Sequence, residues 1–179
     1  MNSKLLNFFL FQIGWFACVL GAAQNYEILG ILISGAIVIF TISLSNYKIE
    51  TSLFILIVAF TGFFWDSLLV QLNIFSYTDN GLQDFAPVWI AALWASFSTT
   101  INSSMAWLNQ RYFLAAILGG VFGPIAYISA SKLGALNIVS FLEAVLYQAI
   151  AWAIFLPAMF WFNQSINQEL LKIKLKESK

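Results

Sequence analysis

Long apolar runs alternate with short polar breaks along nearly the whole chain. A helix that crosses a bilayer needs about 20 predominantly apolar residues, and six segments meet that requirement. These segments are residues 5–23, 28–45, 52–72, 86–108, 112–131 and 140–162. None has the alternating pattern of barrel strands, and backbone groups without water must bond within their own helix. The pattern therefore predicts an all-α fold, a polytopic bundle of six transmembrane helices within residues 1–163.

The first apolar segment has a second interpretation. Lys4, the apolar run after it and Gly21-Ala22-Ala23 resemble a signal peptide with its cleavage site. The run is longer than the usual 7–15 or so apolar residues of such a peptide, and it leads directly into a second apolar segment. We therefore favour a retained helix, and N-terminal sequencing of the purified protein distinguishes the two.

The basic residues are distributed unevenly between the two sides of the predicted bundle. If both termini are cytoplasmic, the cytoplasmic side holds Lys4, Lys48, Arg111, Lys172, Lys174, Lys176 and Lys179. The outer side then holds only Lys132. Because positive residues accumulate on the cytoplasmic side, both termini are predicted to be cytoplasmic. Residues 164–179 form a basic amphipathic cytoplasmic tail, which either lies on the anionic inner leaflet or is a solvated end.

Composition supports the membrane assignment and excludes several functions. Hydrophobic residues make up 61% of the chain and charged residues 9%, against about 45–50% and 25% in soluble domains. Eight basic residues balance eight acidic ones, so no basic excess suits nucleic acid. There is no histidine and only one cysteine, which predicts no metal site and no cofactor. Membrane lipids are the expected partners.

Asp66 is the only charge well inside a predicted helix. A carboxylate at membrane depth is costly and marks a functional site by default. The candidate cation to pair with Asp66 is Lys132, and Glu143 competes for the same ammonium group. Two carboxylates that share one ammonium group would raise the pKa of one of them. The alternative is a structural ion pair that fixes helix register.

Aromatic and amide side chains near the depth of Asp66 predict a ligand-binding pocket. Four tryptophans fall deep within the segments, where each indole N–H needs an acceptor. Gln12 and Asn102 lie at similar depth and are able to bond to each other. The candidate ligand-binding residues are Gln12, Trp65, Asp66, Trp94, Asn102, Lys132, Glu143, Tyr147, Gln148 and Trp152. For any one tryptophan, ordinary core packing is the competing explanation.

Small residues on two helices predict close packing. Gly119 and Gly123 share a face of the fifth helix, and Gly14, Cys18 and Ala22 share a face of the first. Such faces let helix backbones approach closely. Each face packs within the chain or meets a second protein, and we favour packing within the chain.

Four stretches together resemble a known family. They are NFFLFQIGWFACVLGAA at 7–23, Trp65-Asp66-Ser67, PVWIAALWASFSTTINSSMAWL at 87–108, and GGVFGP at 119–124 with Tyr127. The chain resembles a family of small bacterial inner-membrane proteins classed as a domain of unknown function. Its members are often encoded beside enzymes resembling cyclopropane-fatty-acyl-phospholipid synthase. The resemblance implies a multi-pass location in a bacterial inner membrane and a link with lipid modification, including a lipid-modifying protein partner. It supplies no catalytic residue.

Three functions follow as hypotheses. The first is binding or handling of a lipid-like or amphipathic small molecule in an outer-half polar and aromatic pocket. The second is the substrate-capturing subunit of an energy-coupled vitamin-type uptake transporter, which would use the small-residue face of the first helix for docking. The third is a lipid-phase isomerase that uses Asp66 and Glu143 as acid and base. We favour a non-enzymatic role, because neither histidine nor a metal-ligand set is available.

Overall fold

The computed structural model describes residues 3–77, 82 and 84–177, and it confirms an all-α fold of six helices. The helices are α1 (Ser3–Ala23), α2 (Glu27–Leu44), α3 (Lys48–Gln71), α4 (Val88–Ser98), α5 (Tyr112–Lys132) and α6 (Phe141–Glu177). Two short antiparallel strands, β1 (Phe75–Ser76) and β2 (Asn137–Ile138), pair with each other. All the helices except α4 are long and apolar enough to cross a membrane.

The chain passes through the bundle six times, and the contacts at its two ends show this. The start of α1, the segment after α4 and the far part of α6 meet at one end, where Asn7 bonds to Thr99 and Asn102 bonds to Asn163. The segments that follow α3 and α5 meet at the opposite end, where β1 pairs with β2. Alternate connections therefore lie at opposite ends, as the six predicted passages require.

The fourth passage is not the continuous helix over 86–108 that the sequence predicts. Helix α4 ends at Ser98, turns follow, and a 3₁₀ turn covers Ala106–Leu108. Seven of the nine residues 96–104 are serine, threonine or asparagine. The hydroxyls of Ser98, Thr99 and Thr100 accordingly donate to carbonyls three residues earlier. These local bonds compete with the helical pattern and explain why the helix stops.

Asn7 of α1 holds the turn after α4 in place. Its Nδ2 donates to Thr99 Oγ1 at 3.2 Å, and its Oδ1 accepts from the Ser104 hydroxyl at 2.8 Å and from the Ser104 amide at 3.3 Å. The side chain is buried, so these polar groups satisfy one another away from solvent. One amide on α1 therefore supports the irregular half of the fourth passage.

Replacing Asn7 with leucine is expected to lower the free energy of unfolding by about 1–3 kcal/mol, because several buried hydrogen bonds lose their partner at once. Asn46→Leu, at an exposed position between α2 and α3, is the control and should change it by less than about 0.5 kcal/mol. Unfolding in mixed micelles, followed by circular dichroism, measures both variants. Equal effects would show that the Asn7 bonds do not stabilise the fold.

Both small-residue faces pack within the chain, which agrees with the prediction. A Cβ at Gly30 of α2 would lie 2.6 Å from the Cys18 Cα, so α1 and α2 touch backbone to backbone. Cys18 is fully buried, with its Sγ 3.2 Å from the Ser34 hydroxyl. A Cβ at Gly119 would lie 2.3 Å from the Trp152 carbonyl oxygen, so α5 meets α6 in the same way. Glycine is required at these contacts because no side chain fits between the helices.

Helix α6 continues well beyond the predicted end of the sixth span at residue 162. It runs unbroken from Phe141 to Glu177, so the backbone of the predicted tail continues the same helix through that residue. Residues 178 and 179 lie outside the described part of the chain. The predicted position of the tail on the inner leaflet stays a prediction.

Candidate ligand-binding cavity and buried polar cluster

A cavity of about 630 Å³ lies among α1, α4, α5 and α6. Phe11 and Trp15 of α1 form one wall, Leu93 and Phe97 of α4 form the next, and α5 lines it from Leu118 to Ala130. The volume falls within the usual range of about 300–1,000 Å³ for small-molecule sites, and the predominantly apolar, aromatic lining is typical of them.

The cavity opens sideways between α1 and α5. Phe16 of α1, together with Phe122 and Ile125 of α5, lines the cavity and is also exposed on the outside of the bundle, at 48%, 61% and 47% of its surface. Helix α1 packs against α2 and α4, whereas α5 packs mainly against α6, which leaves a gap between α1 and α5. At the end of the bundle near β1 and β2, the fully buried side chains of Trp89 and Leu136 belong to the wall.

Two stacked indoles form the inner wall of the cavity. The rings of Trp94 and Trp152 lie 4.7 Å apart, centroid to centroid, at an angle of 14°. A Cβ at Gly62 of α3 would lie 2.0 Å from the Trp94 ring, and a Cβ at Gly123 of α5 would lie 2.3 Å from the Trp152 ring. Glycines on two other helices thus make room for the two indole rings. We call the arrangement of Trp94, Trp152, Gly62 and Gly123 the indole stack.

Asp66 lies directly behind the indole stack and is fully buried. Its Oδ2 accepts a hydrogen bond from Trp94 Nε1 at 2.8 Å and a second from the Tyr127 hydroxyl at 2.9 Å. Trp94 and Tyr127 both line the cavity, and Asp66 does not. The carboxyl group therefore orients two wall residues and is itself separated from the cavity by them.

The polar cluster around Asp66 extends to α6 and to the segment after β1. Gln148 is buried and its Oε1 accepts from Trp65 Nε1 at 3.2 Å, while its side chain lies beside the Tyr127 hydroxyl. Tyr77 is buried near the same carboxyl group. Asp66 Oδ1, Gln148 Nε2 and the Tyr77 hydroxyl form no hydrogen bond within the described chain. Each of these atoms is able to bond to a further polar group.

Tyr77 lies outside the long helices, and its hydroxyl group has a raised pKa. Burial raises the pKa of its hydroxyl well above the ordinary value, and the charge of Asp66 raises the pKa further. The hydroxyl therefore keeps its proton at neutral pH and is a hydrogen-bond donor at the edge of the cluster. Its ring packs edge-on against Trp89 at 5.7 Å.

Comparison with known proteins identifies the family. Residues 4–158 match the family described as protein of unknown function DUF2878. The chain belongs to that family. No curated protein matches it, and no solved structure matches it. The predicted resemblance to a family classed as a domain of unknown function is thereby confirmed, and the functional interpretation of this DUF2878 chain depends on its own geometry.

The structure of the DUF2878 chain places the ten predicted site residues in three groups. Gln12, Trp94 and Trp152 line the cavity. Asp66, Trp65 and Gln148 belong to the polar cluster behind it. Asn102, Lys132, Glu143 and Tyr147 lie at exposed positions of the bundle. The first two groups share the indole stack as their boundary, and the third lies apart from the cavity wall.

Two predicted pairings of the DUF2878 chain are wrong. Asp66 does not pair with Lys132, because the aspartate is fully buried with Trp94 and Tyr127 as its donors, whereas Lys132 is exposed at the end of α5. Asn102 does not bond to Gln12, because it exchanges hydrogen bonds with Asn163 of α6 in both directions, at 2.9 and 2.5 Å. The early end of α4 turns Asn102 away from the cavity.

Tyr127 and Tyr77 are the site residues of the DUF2878 chain that the sequence analysis did not select. Tyr127 appeared only among the residues that carry the family resemblance. A signal for it existed, because it lies four residues after Gly123 and therefore on the same face of α5 as the glycine that accommodates Trp152. Tyr77 lies in the connection between the third and fourth apolar segments, directly after β1, and nothing in the sequence predicts that β1 places it near Asp66.

The geometry of the DUF2878 chain offers a surface for binding. Among the residues that the structure describes, no group of three or more histidine, cysteine, aspartate or glutamate side chains is placed to hold a metal ion. Asp66 is enclosed and Glu143 is exposed, so the two carboxyl groups do not face one site. The cavity offers an apolar aromatic surface, with Gln12 as the amide on its wall.

Proposed function

We propose that the protein is an integral protein of the bacterial inner membrane that binds a lipid-like small molecule in the cavity between α1 and α5. The observation that carries this proposal is the cavity itself: about 630 Å³, aromatic, and open on the side of the bundle. The sideways opening supports a ligand that is dissolved in the bilayer, because molecules in the hydrocarbon region meet the protein from the side.

Membrane insertion with both termini in the cytoplasm has support from two observations. The five long helices are apolar enough to cross a membrane, and large apolar side chains are exposed along them. The end of the bundle that carries the start of α1 also carries Lys48 and Arg111, in agreement with the accumulation of positive residues on the cytoplasmic side.

The test is whether the cavity retains a ligand from the membrane. Protein purified in a mild detergent is extracted, and its retained small molecules are compared by mass spectrometry with those of the whole membrane. A specific species enriched at least several-fold over the membrane supports the proposal. Retained molecules that match the membrane in composition would contradict it.

Ala126→Phe on α5 provides the matched comparison, because Ala126 lines the cavity and a phenyl ring there fills part of it. We expect this variant to lose most of the enriched species. Val121→Phe adds the same ring to the outside of α5, at a position that is 50% exposed and not part of the wall, and should retain it. Loss in both variants, or in neither, would show that the species does not occupy the cavity.

The geometry gives less support to the other two functions. A substrate-capturing transporter subunit would dock through the face of Gly14, Cys18 and Ala22, but Gly14 and Cys18 of that face contact α2 and α4. A lipid-phase isomerase needs Asp66 and Glu143 at one site, and the structure separates them. A partnership with a lipid-modifying enzyme stays a prediction from the family resemblance.

A further inference from the structure

The wall of the cavity has an unusual chemical composition for a lipid site. Among the residues that the structure describes, none that lines the cavity is an aspartate, glutamate, lysine or arginine. Phosphate and carboxylate headgroups are held in proteins by arginine, lysine or helix N-termini. A wall without a cation therefore does not suit a phospholipid headgroup or a fatty-acid carboxylate.

Two side chains of the wall, Gln12 and Trp152, offer hydrogen bonds that no described residue uses, and of the two only the Gln12 amide both donates and accepts. Gln12 lies ten residues into α1, near the middle of that helix, and its amide has no hydrogen-bond partner among the described residues. An amide at this depth has no water to bond, so a partner on a ligand is favourable. The amide presents both a donor and an acceptor, which suits a hydroxyl or a carbonyl group.

The cavity is also elongated along the helices. Its α5 wall extends from Leu118 to Ala130, which is about 18 Å at a rise of 1.5 Å per residue. Its α1 wall, from Phe11 to Val19, runs over about 12 Å by the same measure. The long axis of the cavity is thus parallel to the helices, and so to the acyl chains of a surrounding bilayer. Its opening lies between Phe16 of α1 and Phe122 of α5.

We infer that the ligand is an uncharged, single-chain lipophile with one hydroxyl or carbonyl group, which lies wholly within the hydrocarbon core and bonds to Gln12. The inference rests on the proposed function and narrows its substrate class. The chain of the ligand occupies the apolar wall formed by α1, α4 and α5. Access is from the bilayer, through the gap between α1 and α5.

Photoaffinity labelling in lipid nanodiscs tests the ligand class. Four probes carry a diazirine on the same hydrocarbon chain: the long-chain alcohol, the alkane, the fatty acid at neutral pH, and the phosphatidylcholine that contains that fatty acid. Peptide mapping by mass spectrometry then separates labels on the cavity wall, at Leu93 and Phe97, from labels at the outward-facing Phe113 and Ile154. We expect the alcohol to label the wall strongly, and the fatty acid and phosphatidylcholine to label only the outward-facing residues.

The outcomes separate this inference from the proposed function. Wall labelling by phosphatidylcholine or the fatty acid equal to that by the alcohol overturns the inference and leaves the proposed function standing. Absence of wall labelling by all four probes overturns both. Wall labelling by the alcohol, with little by the charged probes, supports both.

Substitution of Gln12 tests the role of the amide. Gln12→Leu should lower wall labelling by the alcohol by about 2- to 10-fold, the value of one hydrogen bond, and leave labelling by the alkane unchanged. Gln24→Leu, at an exposed position just after α1, is the control and should leave both unchanged. A Gln12→Leu protein that labels equally with the alcohol contradicts the proposed bond. The comparison of probes on the unaltered protein decides the ligand class even if that variant fails to fold.

Discussion

Gly62→Ala is expected to lower the free energy of unfolding by about 2–3 kcal/mol, which is a large effect for the addition of one methyl group. The new Cβ would lie 2.0 Å from the Trp94 ring, and real Cβ atoms essentially never approach another atom so closely. Trp94 has no room to retreat, because Trp152 stacks on its other face and Trp152 in turn lies over Gly123. The strain therefore reaches the whole indole stack. Unfolding in mixed micelles, followed by circular dichroism, measures the change.

Gly35→Ala is the matched control for this prediction. Gly35 lies within α2, and a Cβ there meets nothing within 4 Å. Since alanine favours helix over glycine, this variant should be neutral or more stable by up to about 1 kcal/mol. Comparable destabilisation by the two substitutions would mean that helix flexibility, and not the contact with Trp94, explains the effect.

A second substitution isolates the contact itself. Trp94→Phe gives the Gly62 methyl group a smaller ring to meet, so the double variant Gly62→Ala with Trp94→Phe should be less destabilised than the sum of the two single variants. We expect a favourable coupling of at least about 1 kcal/mol, within the range of residues in contact. Additive effects would show that Gly62 and Trp94 are energetically independent.

Asp66→Leu should lower the free energy of unfolding by about 1–3 kcal/mol and weaken retention of the cavity ligand. The substitution removes the acceptor of Trp94 Nε1 and of the Tyr127 hydroxyl, which leaves two buried donors without a partner. Both donors belong to side chains of the cavity wall, so the wall loses its fixed orientation. Unfolding in mixed micelles and the retained-ligand assay measure the two consequences.

Asp66→Asn distinguishes hydrogen bonding from charge in this result. The carbonyl oxygen of asparagine still accepts from both donors. We therefore expect Asp66→Asn to lower the free energy of unfolding by less than half as much as Asp66→Leu does. Glu143→Leu, at an exposed position of α6, is the control and should change stability by less than about 0.5 kcal/mol. If asparagine at position 66 is as damaging as leucine, the negative charge is what the cluster requires.

The helices were predictable from the sequence because their signal is local. A run of about 20 apolar residues is by itself evidence of a spanning helix, and α1, α2, α3 and α5 end within a few residues of their predicted positions. The fourth passage was not predictable in this way. Hydropathy averages over the serines and threonines of 96–104, and the side chain that supports their turn, Asn7, is about 90 residues away in sequence.

The site was predictable only in part, for a related reason. Asp66, Trp94 and Trp152 stand out because charge and large indoles are conspicuous in an apolar helix. Their partners depend on which helices meet, and by charge alone the candidate partner of Asp66 is the distant Lys132. The structure selects Tyr127 because α5 packs on α6 with Gly123 facing Trp152. Hydrogen-bond donors that carry no charge, such as a phenol or an indole, leave little trace in a hydropathy pattern.

The turn after α4 has a consequence for biosynthesis. A helix of 11 residues followed by seven residues of turns leaves main-chain groups that hydrocarbon does not satisfy, so this piece is a poor candidate for insertion alone. Asn7 supplies bonds to it, and Asn7 belongs to α1, which is synthesised before α4. In the membrane orientation that we propose, the side chain that the irregular fourth passage needs is therefore already synthesised, on α1, when that passage emerges.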